Sequence, residues 1–322
     1  PLDASAASSR VLAAVHETLM RTDPETWRSV PGVARELVVE DQLVLTDEAA
    51  GGYPAARRIA RLLPGSRTER EEVTVLYGAL VGEGEVLRLE PRSPGSALEG
   101  PLEVPREDVR EVVRGGAATF VLRDDVRWHP WGEMDDQRLD ARDVLFSFSI
   151  YANPGIECGE RRYQFEKVAA AERVDERTVR FLLGRQDAWG VADLGAMFLF
   201  PSHLYDLSDP DNPDHDPEAG DEEQARYVND NPRNTLWVGL GPWRVTSFEG
   251  DRIEAERVEG YFDPARAGYL DRLRWRRFAD DAAALQALLA GELQFFDRLS
   301  SGDFFGERTR DASFTERCYK AW

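Results

Sequence analysis

The chain has 322 residues, of which 42% are hydrophobic and 31% charged. The length is sufficient for two domains, each with its own core, and the composition argues against wholesale disorder. The formal net charge of −20 argues against a nucleic-acid partner, whose phosphates would be repelled, and against docking on an anionic membrane face. No apolar run approaches the roughly 18 residues that a membrane-spanning helix requires.

The chain opens at Pro1 without an initiator Met, a basic segment or an apolar segment. We therefore expect that any export signal has been removed or lies outside this chain. The two cysteines, Cys158 and Cys318, have no metal-ligand spacing. A disulfide between them and two unrelated buried thiols are both compatible with the sequence.

The first predicted element is an amphipathic helix from Ser8 to Met20, which Ser8 or Ser9 can cap and Asp23-Pro24 ends. The region that follows, as far as residue 116, is harder to interpret because its Pro and Gly residues interrupt every pattern. The patterns there predict strands at 37–39, 43–45 and 73–76, a basic helical piece at 55–63 and a helix start at 104–109.

The pattern becomes clearer after residue 116. Asp140 is expected to cap a helix that runs to Ile150, with Asp143 completing a carboxylate version of the capping box. Asp281 or Asp280 is expected to cap another helix, over 282–290, with Gly291 as its left-handed terminating residue. Strands are predicted at 119–122, 126–128, 172–174, 178–183, 197–200, 240–248, 252–257 and 270–278, and a further strand is predicted to begin at 293–296. Interleaved strands and helices indicate an α/β protein.

Residues 206–230 contain ten acidic residues, one arginine and three prolines, and are predicted to form an exposed loop. Carboxylate oxygens can bind calcium, but the segment lacks the DxDxDG spacing. A solvated loop is therefore the preferred interpretation.

The sequence contains no arrangement of groups that catalysis would need. The four histidines lack metal spacing, and there is no GxSxG elbow or GxxxxGK[ST] loop. His129 lies between Trp128 and Pro130, where a packed turn histidine is a better interpretation than a ligand. We expect no catalytic residue, no metal and no cofactor.

Six stretches resemble the family 5 bacterial extracellular solute-binding proteins, which include dipeptide-, oligopeptide- and nickel-binding members. Their order from residue 2 to 293 makes the resemblance specific. They are Leu2-Asp3-Ala4 with the first helix and its Glu17-Thr18-Leu19; TFVLRDDVRWH at 119–129, similar to "tFxLRxgVxWHdG"; LDARDVLFS at 139–147, similar to "lTAeDVvfS"; VGLGPW at 238–243, similar to "VGTGPY"; YF at 261–262 with YLD at 269–271; and DAAALQALLAGE at 281–292.

The resemblance implies a periplasmic binding protein type II-like lobe with the additional family-5 domain, an α/β fold of mixed sheets flanked by helices. It places a ligand-binding lobe at 1–28 plus 186–305 and the additional domain at 29–185. It has no counterpart for a long insertion at about 40–116, and the "WHdG" turn is altered. Members are usually much longer, so we expect that 306–322 begin a second lobe and that the chain is truncated before it.

The function that the resemblance implies is capture of a peptide or other small solute for an ABC importer, by closure of two lobes. The expected setting is periplasmic or at the cell surface, compatible with a lipoprotein, with ABC permease subunits as partners and no nucleic acid. A solute-sensing or regulatory protein with the same fold is the alternative. The candidate ligand-binding residues are Ser5, Ser8, Trp237, Gly239, Gly241 and Trp243.

Overall fold

The computed structural model describes residues 6–63, 66, 69–132, 134, 136–234, 237–296, 299–306 and 309–310. The described residues of 1–245 and 256–271 form one compact unit, and those of 246–255 and 272–322 form a second. The predicted domain boundaries differ from this division and stay a prediction.

The first unit contains most of the secondary structure. Its helices are α1 (Ala6–Val15), α2 (Ala141–Ala152), α3 (Gly190–Gly195), α4 (Ser202–Tyr205) and α5 (Asp221–Asn229). Its strands are β1 (Met20–Thr22), β2 (Ser29–Pro31), β3 (Ala34–Leu45), β4 (Arg57–Leu62), β5 (Arg70–Glu83), β6 (Val86–Glu90), β7 (Leu102–Pro105), β8 (Val109–Leu122), β9 (Val168–Asp175) and β10 (Thr178–Leu183).

Eight of these strands form one sheet in the order β7-β6-β5-β3-β8-β10-β9, with β4 paired to β5. The pairs are antiparallel, and the longest runs between β3 and β8, where Ala34 faces Leu122 at one end and Leu45 faces Val109 at the other. Strands β3 and β8 each lie partly inside and partly outside residues 40–116. The predicted insertion therefore continues the sheet instead of forming a separate body. β4 lies against β9, so the sheet curls back on itself.

Three apolar clusters fill the first unit. The largest packs α2 and the segment 194–204 on one face of β8 and β10, around Phe120, Phe181 and Trp128. It draws residues from both of the predicted domains, such as Leu240 of the ligand-binding lobe and Phe120 of the additional domain. The two smaller clusters lie in the strand-rich extension, which is the region from β3 to β8, and one of them also includes Leu182 of β10. The strand-rich extension therefore has its own core.

A fully buried arginine joins the extension to the rest of the sheet. The Arg180 guanidinium on β10 donates to the Tyr77 hydroxyl at 2.9 Å and to the Pro94 carbonyl at 2.6 Å, and forms an ion pair with Glu172 at 3.0 Å. Arg180 is 1% exposed. A buried charge is tolerated because its donors are satisfied on several sides.

The second unit is smaller. Strands β11 (Trp243–Glu249), β12 (Arg252–Arg257) and β13 (Arg272–Arg276) form a three-stranded sheet, and β11 and β12 contribute residues to both units. Helix α6 (Asp281–Leu289) begins at Asp280, whose side chain accepts from the Ala283 amide, and Gly291 beyond it has φ +79°. A short helix, α7 (Ser301–Phe304), follows. The predicted cap and terminating glycine of α6 are confirmed.

Helix α2 is confirmed with its capping box, since the Asp140 side chain accepts from the Arg142 and Asp143 amides and Asp143 accepts from the Asp140 amide. The hairpin β9–β10 is also confirmed. Helix α1 ends at Val15, before the predicted end at Met20, because Thr18 forms a bridge with Phe198 and Met20 enters β1.

The following local predictions are wrong. The 55–63 piece is strand β4, because pairing with β5 outweighs its helical spacing. The 104–109 segment is the end of β7 and one 3-10 turn. The segments 126–128 and 197–200 make only isolated bridges, and 293–296 contain no strand. The predicted loop at 206–230 is an ordered segment that contains α5 and buries Asp209 and Asn212.

Candidate functional site

The predicted ligand-binding segment, residues 237–243, passes over the end of helix α1. The Gly241 amide donates to the Val15 carbonyl at 2.8 Å. A Cβ atom on Gly239 would lie 1.9 Å from the Val15 carbonyl oxygen, and one on Gly241 would lie 2.5 Å from the Ala14 carbonyl oxygen. Any side chain at either position would overlap the helix backbone, so this approach requires glycine.

His129 holds the same segment from another direction. Its amide donates to the Gly239 carbonyl at 2.9 Å, and the Gly239 amide donates back to Nδ1 at 3.3 Å. Its Nε2 lies 2.8 Å from the Gly241 carbonyl oxygen. The motif histidine thus makes three hydrogen bonds to the two glycines, which agrees with its interpretation as a packed turn residue.

Burial in apolar surroundings lowers the pKa of both histidines near this segment. The pKa of His129 falls to about 4, because burial penalises the charged ring and Arg244 adds to the effect, while the Gly241 carbonyl acts in the opposite direction. The pKa of His16, which follows α1, falls to about 3 for the same main reason. Both rings are therefore neutral at pH 7.

The two predicted tryptophans are largely buried. Trp237 is 9% exposed and donates its indole N–H to the Asn234 carbonyl, and Trp243 is 7% exposed at the start of β11. Both indoles therefore contribute mainly packing in this chain. A ligand could reach only the small part of each ring that stays exposed.

The two predicted serines cannot be compared with this geometry in the same way. Ser5 lies outside the described residues, and Ser8 lies within α1, in a stretch whose side chains are not described. The structure therefore brings together Trp237, Gly239 and Gly241 and leaves the six-residue ligand-binding set a prediction. Both glycine amides already have partners within the protein, so a ligand would contact the segment through other atoms.

Sequence reasoning identified neither the hydrogen-bond partners of His129 nor the contact of the two glycines with the Val15 carbonyl. His129 was visible as part of the TFVLRDDVRWH motif, but its partners lie 110 residues or more along the chain, at Gly239 and Gly241. No pattern links such distant positions in a single sequence. The contact of the glycines with Val15 had no signal beyond the glycines themselves.

A second polar cluster lies at the N-terminus of α2. The buried Asp143 carboxylate accepts from the Trp128 indole at 2.9 Å and from the Ser202 amide at 2.7 Å. The Ser202 hydroxyl lies 2.9 Å from Asp143 and 2.6 Å from Asp209, but it has one proton to donate. Burial raises the pKa of Asp143 to about 7 despite these donors. The cluster is enclosed, and it ties two motif residues, Trp128 and Asp143, to the segment after β10.

Metal-ligand clusters and membrane-spanning helices are absent from the described ranges. There, no three His, Cys, Asp or Glu side chains lie close enough together to hold a metal ion, the acidic segment included. None of the helices in those ranges is long and apolar enough to cross a bilayer. Cys158 is a free, buried thiol, and Cys318 lies outside the described residues.

Comparison with known proteins places this fold and these motifs in one class, that of extracytoplasmic binding proteins. Residues 110–312 match the model of the bacterial extracellular solute-binding proteins, family 5 (middle part). Since the match covers more than half of the 322 residues, the chain belongs to this family. The predicted resemblance is confirmed.

Two curated relatives illustrate the similarity. The chain is 24% identical to the oligopeptide-binding protein AppA of Bacillus subtilis over 193 residues, which are 59% of this chain and 32% of AppA. It is 29% identical to the dipeptide-binding protein of Escherichia coli over 160 residues, 46% of this chain and 27% of that protein. The chain thus spans about a third of the length of these relatives.

Solved structures share the fold. AppA from B. subtilis in complex with a nonapeptide has a TM-score of 0.55 at 19% identity, over 96% of this chain and 42% of that chain. A dipeptide-binding protein from Pseudoalteromonas in complex with Met-Leu has a TM-score of 0.56 at 13% identity, over 94% and 45%. The fold class of type II periplasmic binding proteins, predicted from the sequence, is confirmed.

Proposed function

We propose that this protein captures peptides or similar small solutes outside the cytoplasmic membrane, as the substrate-binding component of an ABC importer. The observation that carries the proposal is the family match over residues 110–312, which includes the motif that ends in His129 and the segment with Gly239 and Gly241. The relatives named above bind an oligopeptide or a dipeptide by their names.

Binding of this kind requires enclosure more than chemistry. Affinity comes from burying the solute between two lobes and satisfying its polar ends, and closure by hinge motion reports occupancy to the importer. The relatives are binding proteins by name, which supports a function without catalysis. The permease subunits of the importer would be the protein partners, at the periplasmic or cell-surface side of the membrane.

In this proposal the chain supplies one wall of the solute site. The lobe at 1–28 plus 186–305 would carry the wall, with Ser5 and Ser8 as candidate ligand-binding residues. The segment 237–243 would support that wall from behind, since its glycines pack against the end of α1. The opposite wall would come from a second lobe, because the matched part of this chain corresponds to only 32% of AppA.

Isothermal titration tests this proposal. The product of the complete open reading frame and the 322-residue chain are each titrated with an equimolar pool of peptides of two to nine residues. We expect a Kd at or below about 10 µM, or about −7 kcal/mol, for the complete product, and weak or no heat for the chain alone. No binding by the folded complete product would overturn the capture of peptides, and micromolar binding by the chain alone would overturn the need for a second wall.

Matched variants test the wall itself. In the complete product, Ser5→Ala combined with Ser8→Ala is expected to weaken peptide binding at least tenfold, because hydrogen bonds to the solute are lost. Ser208→Ala, at an exposed serine of the acidic segment, serves as the control and is expected to leave the Kd unchanged. Equal affinities for the two variants would remove both serines from the site.

A further inference from the structure

The hydrogen bonds of His129 determine which ring nitrogen carries the proton. The Gly239 amide can only donate, so Nδ1, 3.3 Å away, must be unprotonated to accept. The Gly241 carbonyl can only accept, so Nε2, 2.8 Å away, must be protonated to donate. The geometry therefore requires the neutral Nε2–H tautomer. The protonated ring and the Nδ1–H tautomer would each place a proton against the proton of the Gly239 amide.

The segment that His129 holds is also held by α1. The Gly241 amide donates to the Val15 carbonyl, and neither glycine leaves space for a Cβ atom against the helix backbone. The segment between Trp237 and Trp243 is thus fixed on one side by main-chain contact with α1 and on the other by the imidazole. Removal of the ring would leave the buried Gly239 amide without its hydrogen-bond partner.

Charged and titratable neighbours also favour the neutral ring. Arg244, three residues beyond Gly241, lowers the pKa of His129. The charge of His129 in turn lowers the pKa of His16, which follows α1. Among the main causes of the His129 shift, the charged side chain is Arg244, which opposes protonation of the ring.

We propose that His129 is a positioning residue that acts as a latch: only its neutral Nε2–H form holds Gly239 and Gly241 against the end of α1. The latch is a property of this chain, and its link to solute binding rests on the proposed function. In the complete protein, it would keep the support of the solute wall rigid, and protonation of the ring would release it.

Two substitutions separate the two ends of the ring. His129→Asn places a carbonyl oxygen near the position of Nδ1 and keeps an acceptor for the Gly239 amide. His129→Gln places an amide nitrogen near the position of Nε2 and keeps a donor for the Gly241 carbonyl. A residue that merely fills space would show no such difference between the two variants.

The measurement is amide hydrogen exchange by NMR on the 322-residue chain, with the Phe181 amide in β10 as a reference for global folding. We expect exchange of the Gly239 amide to accelerate at least tenfold in His129→Gln and to stay within about threefold of the wild type in His129→Asn. Equal exchange of Gly239 in the two folded variants would overturn the proposal.

A second measurement needs no variant. Long-range proton–nitrogen correlation spectra of the wild-type imidazole are expected to show the Nε2–H tautomer at pH 7 and a titration midpoint near pH 4, where the pKa of His129 lies. Exchange of Gly239, corrected for its intrinsic pH dependence, should accelerate through the same range. An Nδ1–H tautomer, or a midpoint near the ordinary pKa of 6.5, would refute the latch. These results are independent of peptide titration, so failure of the latch and failure of the proposed function can be distinguished.

Discussion

Replacement of Gly239 by alanine tests the packing at the centre of the candidate site. The added Cβ would lie 1.9 Å from the Val15 carbonyl oxygen, and Cβ atoms essentially never lie within 3.0 Å of such an atom. The segment and the end of α1 must therefore separate by at least about 1 Å. The obstacle is main chain on both sides, so rotation of a side chain cannot relieve it.

The energetic cost follows from two contributions. Overpacking of a close contact typically costs about 1–3 kcal/mol. The separation also lengthens the hydrogen bonds between Gly241 and Val15 and between Gly239 and His129, and a hydrogen bond contributes about 1 kcal/mol. We expect Gly239→Ala to lower the free energy of unfolding by about 3 kcal/mol, a large share of the roughly 5–15 kcal/mol of a typical domain.

Urea denaturation followed by near-UV circular dichroism measures this change, and Gly100→Ala is the matched control. A Cβ on Gly100 meets no atom within 4 Å, so its free energy of unfolding should stay within about 0.5 kcal/mol of the wild type. If Gly239→Ala were as stable as Gly100→Ala, the close approach of residues 239–241 to α1, and with it the argument for glycine there, would be wrong.

Three further predictions concern buried polar groups. Arg180→Met should cost about 3–5 kcal/mol in thermal or urea unfolding, because Glu172 and several other groups lose a buried partner; a loss under 1 kcal/mol would contradict this. Asp143→Asn should cost about 2 kcal/mol at pH 7, because an amide nitrogen cannot accept from the donors around the carboxylate; an unchanged urea midpoint would contradict it. His129 and His16 have pKa values of about 4 and 3 in the folded chain and near 6.5 in the unfolded chain. Because the unfolded state takes up protons first, the free energy of unfolding should fall as the pH decreases from about 6.5 to 4. The expected loss for His129 is up to about 3 kcal/mol. His16→Phe should reduce this slope, and an unchanged slope would show that His16 is not protected from protonation.

The sequence alone determined those features that depend on neighbouring residues. The capping box of α2 needs only Asp140 and Asp143 three residues apart, and the end of α6 needs only Gly291, so both were predicted correctly. The family motifs likewise persist as local runs of letters, and they identified the class of protein.

Tertiary structure decided those features that depend on partners far along the chain. Residues 57–62 have helical spacing, but pairing with β5 makes them a strand. The buried Arg61 in this strand forms ion pairs with Glu71 and Glu111. The sequence pattern indicated Gly239 and Gly241 as candidate site residues, but it did not show that the end of α1 lies against them. It also did not show which groups hydrogen-bond to His129. These features are strand pairing, close main-chain contact and the hydrogen bonds of His129. Each depends on distance in space, which the order of residues along one chain does not specify.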